Sequence, residues 1–85
     1  MSIIIYTKDY CPYCVKAKSL LTQKKQTFQE IDITRDEKLQ AEMIEKSGGK
    51  RSVPQIFIHG THVGGCDDLY ALNAAGKLDT LLNAS

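Results

Sequence analysis

Tyr10-Cys11-Pro12-Tyr13-Cys14 is the stretch that decides how this chain folds. Two cysteines stand three apart, with a proline directly after the first. Upstream lies a short apolar run, Ile3-Ile4-Ile5-Tyr6, which reads as a central strand buried on both faces. Downstream, a helical pattern runs to about Lys24. Ala17, Leu20 and Leu21 fall on its inner side, with Lys16, Lys18 and Lys24 on its outer side. The cysteines therefore sit at a strand-to-helix junction. Cys11 falls at the helix N-cap and Pro12 at the first helical position, where a missing N–H costs nothing. The free N–H groups and the positive end of the helix dipole then point at the Cys11 sulfur. They favour its thiolate, which is the nucleophile. Lys8, just before the motif, adds a positive charge. Cys14 lies one turn further on, in line with Ala17 and Leu21, so it faces the core while Cys11 sits at the exposed tip. Helical Cα atoms so spaced are about 5 Å apart, within the window a disulfide tolerates. An isolated pair of this spacing also fits a structural disulfide or half a metal site. Its place between a strand and a helix, near the N-terminus, favours redox chemistry.

The bulk numbers fit a small soluble domain. Eighty-five residues allow one domain, 1–85, with a modest core. Hydrophobic content of 42% and charged content of 25% are ordinary for a globular protein. A net charge of +1 gives no reason to expect a nucleic-acid or membrane partner. The N-terminal apolar run is too short for a signal peptide or a membrane span. Three cysteines are odd in number and few for a disulfide-stapled secreted domain, which favours a reducing, cytoplasmic setting. Asn83-Ala84-Ser85 matches a glycosylation acceptor, a chance match in that setting.

After the first helix, Thr27 to Ile33 alternates imperfectly and reads as a second strand, parallel to the first through a right-handed crossover. Thr34 with Glu37 three residues later forms a capping-box pattern opening a second helix. Leu39, Met43 and Ile44 give that helix an apolar face, and Gly48-Gly49 ends it. Gln55 to Ile58 is a third strand. His59-Gly60 fits a tight turn into a short fourth strand, Thr61 to Val63. A last helical region follows Gly64-Gly65, with Leu69, Leu72 and Ala75 inward. Gly76 interrupts it before a final short helix, Leu78 to Leu82. The fold class is α/β: a four-stranded mixed sheet flanked by helices on both faces.

Val53-Pro54 opens the third strand, and the pattern fits either a plain strand start or a cis peptide in a turn beside the cysteines. Gly64-Gly65-Cys66-Asp67-Asp68 reads as a glycine turn feeding a helix N-terminus. Free N–H groups there bind carboxylates, and Asp67 and Asp68 suit an ammonium group. The same acids also serve as a plain helix cap. Cys66, a lone third thiol, reads first as a packed small residue. His59 and His62 read as solvated turn residues, and their spacing to the cysteines fits no compact zinc pattern. Tyr10 is expected to pack, and Tyr13 to line a groove.

Taken together, these motifs make the chain similar to the glutaredoxin family, in its bacterial class 1 dithiol form. The likeness rests on Ile5-Tyr6-Thr7-Lys8, on Cys11-Pro12-Tyr13-Cys14, on Val53-Pro54-Gln55-Ile56-Phe57-Ile58 and on Gly64-Gly65-Cys66-Asp67-Asp68-Leu69. Thioredoxins carry Gly-Pro between the cysteines, and monothiol glutaredoxins have serine where Cys14 stands. The resemblance implies a thioredoxin fold and glutathione-dependent thiol–disulfide exchange, with Cys11 as nucleophile and Cys14 as resolver. It implies a cis Val53-Pro54 turn and backbone pairing between Val53 and glutathione. Lys8, Arg51 and the backbone of Cys66 and Asp67 would hold glutathione carboxylates, Tyr13 would line the groove, and Asp67 with Asp68 would meet the γ-glutamyl amine. Glutathione is the implied co-substrate, with no metal required. The implied partners are glutathionylated or disulfide-bonded proteins, ribonucleotide reductase among them, and the chain is expected to act as a monomer. A cluster carrier bridging two chains through Cys11 is the rival from another class. The stiff turn at Pro12 opposes it.

Overall fold

The structure is a computed structural model and describes residues 2–83. The Ala84-Ser85 part of the glycosylation match lies outside the described residues. The apolar run forms β1 (Ile3–Thr7), and the helix after the cysteines is α1 (Pro12–Gln23). There follow β2 (Gln29–Asp32), α2 (Glu37–Lys46), β3 (Gln55–Ile58), β4 (Thr61–Gly64), α3 (Cys66–Ala74) and α4 (Leu78–Asn83). The strands lie in the order β2-β1-β3-β4. β1 pairs in parallel with β2 and antiparallel with β3, and β3 pairs antiparallel with β4.

The unbroken apolar run of β1 has its reason in this order, because β1 is an inner strand covered on both sides. Ile3 and Ile5 face one core with Ala17, Leu20, Leu21, Leu69 and Leu78 from the helices. Tyr6, with Ile4 beside it, faces a smaller core with Ile33 and Met43. β3 alternates in the same way: Ile56 and Ile58 join the first core and Phe57 the second. Helices therefore cover both faces, as the sequence suggests. The hairpin between β3 and β4 turns at His59 (φ 51°) and Gly60 (φ 83°), the paired positive φ that a two-residue turn of this hand requires.

Three expectations change. The second strand is shorter than Thr27–Ile33, because only Gln29–Asp32 finds partners, Ile4–Thr7 on β1. The capping box at Thr34 does not form. Thr34 Oγ1 instead accepts the Asp9 N–H at 2.8 Å and donates to Asp32 Oδ1 at 2.6 Å. Asp36 caps α2 in its place, accepting the Leu39 N–H at 3.0 Å. Ala75 is exposed, because α3 ends at Ala74 and position 75 is its C-cap.

Candidate active site

Cys11 is the N-cap of α1 and Pro12 its first residue. The Cys11 Sγ accepts the Cys14 N–H at 3.2 Å, so a free donor of the first helical turn is spent on the sulfur. The same sulfur stands 3.8 Å from the Val53 carbonyl oxygen, to which the thiol donates. Cys11 is half-buried, whereas Cys14 is 2% exposed. Burial, and next the bond to Cys11, push the Cys14 thiol well above its ordinary range. All three cysteines are free thiols. One thiol is thus reachable, and the other is sheltered and holds its proton.

Val53 leads to a groove of about 550 Å³ lined by Tyr13, Lys50, Val53, Pro54, Cys66 and Asp67, among others. The Val53-Pro54 peptide is cis. The groove therefore gathers residues from α1, from the loop before β3 and from the turn into α3, and Cys11 stands at its edge through Val53. Tyr13 is 59% exposed and lines it. Lys8 and Arg51 are exposed and lie outside the lining; the basic residue of that loop that does line it is Lys50.

Asp67 and Asp68 both line the groove but are differently employed. The Asp68 carboxylate accepts the N–H of Gly65, the N-cap of α3, at 2.9 Å. Asp67 is exposed and, among the described residues, its carboxylate has no hydrogen bond or ion pair. One acid caps the helix and the other is left open. Gly64, the last residue of β4, has φ 116°, and a Cβ there would strike the Asp68 carboxylate. Cys66 is 5% exposed and packs in the main core, where burial pushes its thiol up and Lys16 pulls it back in part.

Tyr10 does not pack. It is 102% exposed with φ 54°, because the chain turns sharply between β1 and the helix cap. The histidines are engaged as well. His59 Nε2 lies 3.2 Å from the Leu82 carbonyl, and His62 Nε2 lies 2.8 Å from Gln55 Oε1, with its ring 4.8 Å from that of Phe57. Lys50, Ser52 and Gln55 line the groove without having been singled out from the sequence, and so does His62, which the sequence reads as a solvated turn residue. The available signal was local: a polar residue opening an otherwise apolar β3, and a histidine two residues into β4.

Residues 3–63 match the family model described as Glutaredoxin. Glutaredoxin 3 of Escherichia coli (strain K12) is 54% identical over 81 residues, spanning 95% of this chain and 96% of that protein. The solution structure of glutaredoxin from Brucella melitensis is similar at a TM-score of 0.84 and 56% identity, covering 96% of this chain and 88% of that one. The crystal structure of the buckwheat glutaredoxin–glutathione complex is similar at a TM-score of 0.85 and 34% identity, covering 94% of this chain and 74% of that one. The mixed sheet with helices on both faces is the thioredoxin fold of these structures.

Proposed function

The chain belongs to the glutaredoxin family, and on that premise we propose that it is a glutathione-dependent thiol–disulfide oxidoreductase. The observation that carries this is the Cys11 sulfur, capped by the Cys14 N–H and set beside Val53 at the edge of the groove. The Cys11 thiolate attacks the glutathione sulfur of a mixed disulfide. A Cys11–glutathione disulfide forms, and the substrate thiolate leaves and takes up a proton. A second glutathione thiolate then attacks that bond, regenerating the Cys11 thiolate and leaving as oxidised glutathione. With a protein disulfide, Cys11 becomes joined to the substrate. Cys14 then loses its proton and attacks Cys11, releasing the substrate and leaving a Cys11–Cys14 disulfide. A typical glutaredoxin potential of about −200 to −230 mV permits reduction by the cytosolic glutathione pool.

Glutathione suits the charges of the groove. Its glycine carboxylate is assigned to the basic side, where Lys50 lines the groove and Lys8 and Arg51 supply further charge. Its γ-glutamyl carboxylate is assigned to the first N–H groups of α3 at Cys66 and Asp67. Its amine is assigned to Asp67, the open carboxylate, with Asp68 behind it. Tyr13 and Pro54 form walls, and the Val53 backbone pairs with the cysteine unit. The setting proposed is cytoplasmic, as the cysteine count suggests, and the form proposed is monomeric, as the family resemblance implies.

The test is to trap the intermediate. Reduced Cys14→Ser, Cys66→Ser protein is mixed with oxidised glutathione, and its peptides are mapped by mass. One glutathione on Cys11 is expected. An unmodified Cys11 under conditions that modify free cysteine overturns the assignment.

A further inference from the structure

Gln55 is a polar residue with nowhere to go but inward. It is 2% exposed, opens β3 opposite Tyr6 of β1, and shares the second face of the sheet with Phe57. A buried amide is tolerated only when its donors and acceptor are used. Gln55 Nε2 donates to the Ser52 carbonyl at 3.0 Å and to Ser52 Oγ at 3.3 Å. The Ser52 carbonyl oxygen only accepts, which fixes the amide's orientation and turns Oε1 toward His62. His62 Nε2 must then carry the proton it shares with Oε1, at 2.8 Å. The His62 ring is held in turn, its centroid 4.8 Å from that of Phe57.

The anchored carbonyl belongs to the Ser52–Val53 peptide. A peptide unit is planar, and in the trans form its N–H points opposite to its C=O. Pinning the Ser52 oxygen therefore sets the direction of the Val53 N–H. We propose that Gln55 and His62 are positioning residues: the His62–Gln55–Ser52 chain of hydrogen bonds aims the Val53 N–H at the groove's ligand. This rests on the glutathione reading above. It assigns the histidine of β4 a part in ligand affinity through the Ser52–Val53 peptide, separate from the charges that hold the tripeptide's ends.

The test uses S-methylglutathione, which binds without reacting, and calorimetry on the full chain. His62→Phe keeps a ring against Phe57 at an exposed position and removes the donor to Gln55; because His62 also lines the groove, the His62→Gln variant separates loss of the donor from a change in the wall. Gln55→Leu removes the whole link. Affinity is expected to fall about threefold in His62→Phe and about tenfold in Gln55→Leu, the scale of one and of two or three neutral hydrogen bonds. His62→Gln, which restores an N–H donor, should recover most of the loss. Alkylation of Cys11 by iodoacetamide, which needs no groove, should keep its rate in all three. Wild-type affinity in His62→Phe overturns the positioning role. So does an alkylation rate that falls in step with affinity, since that marks general damage. If Gln55→Leu does not fold, His62→Phe and His62→Gln decide alone. Absence of binding by the wild type overturns the glutathione reading and the positioning role together, whereas equal binding by wild type and variants overturns only the latter.

Discussion

Cys11→Ser is expected to lose both reduction of glutathionylated peptides and reduction of protein disulfides. Cys14→Ser is expected to keep the first and lose most of the second. The asymmetry follows from geometry. Cys11 is half-buried, is the N-cap, and receives the Cys14 N–H at 3.2 Å. Cys14 is 2% exposed, with its thiol pushed up by burial, so it is a poor first attacker. The glutathione route needs one thiolate, because the second thiol arrives from solution. The protein route needs Cys14, because the first attack leaves enzyme and substrate joined. A thiol one helical turn away acts at high effective concentration and releases the substrate quickly. Each variant is assayed on a glutathionylated peptide and on a disulfide-bonded protein. Loss of both activities in Cys14→Ser, or survival of either in Cys11→Ser, reverses the assignment of nucleophile and resolver.

Tyr6→Phe is expected to change how stability depends on alkali. Tyr6 is 1% exposed on β1 and donates its hydroxyl to Glu42 Oε2 on α2 at 2.7 Å. Burial first, and the Glu42 carboxylate second, push the phenol from 10.0 up to about 12. The folded chain thus holds this proton more tightly than the unfolded chain does. The resulting stabilisation is complete below pH 10 and is lost as pH rises toward 12, on the order of 2 kcal/mol in all. Phenylalanine has no such proton. Urea unfolding of wild type and variant at pH 8, 10 and 11.5 isolates the effect, since other titrating groups cancel in the difference. The wild type's advantage should shrink across that window. A difference that stays constant from pH 8 to 11.5 means that Tyr6 does not titrate in this way.

Much of this fold is legible in the residues because several local rules agree. The run before the cysteines, Pro12 after Cys11 and the His59-Gly60 turn each permit essentially one local structure, and β1, α1 and the β3–β4 hairpin follow. Where two residues compete for one role, sequence is less decisive. Thr34 and Asp36 are both good N-caps, and the choice of Asp36 depends on Thr34 being occupied by Asp9 and Asp32 across a 25-residue separation. Tyr10 is a large aromatic that composition assigns to the interior, yet a positive φ turns it out. Asp67 and Asp68 are chemically alike in sequence, and only the Gly65 N–H distinguishes cap from open carboxylate. The bond between Gln55 and His62 stayed hidden for a similar reason. Their pairing joins two strands across a hairpin, and nothing in their spacing announces it.

The most direct measurement is steady-state reduction of a mixed disulfide between glutathione and a small thiol, with glutathione as the only reductant. Turnover that saturates with the mixed disulfide, and that vanishes in Cys11→Ser, is expected. A rate no faster than uncatalysed exchange, alongside turnover supported by an NADPH-dependent thioredoxin reductase, would place the protein's electrons elsewhere and overturn the glutathione reading.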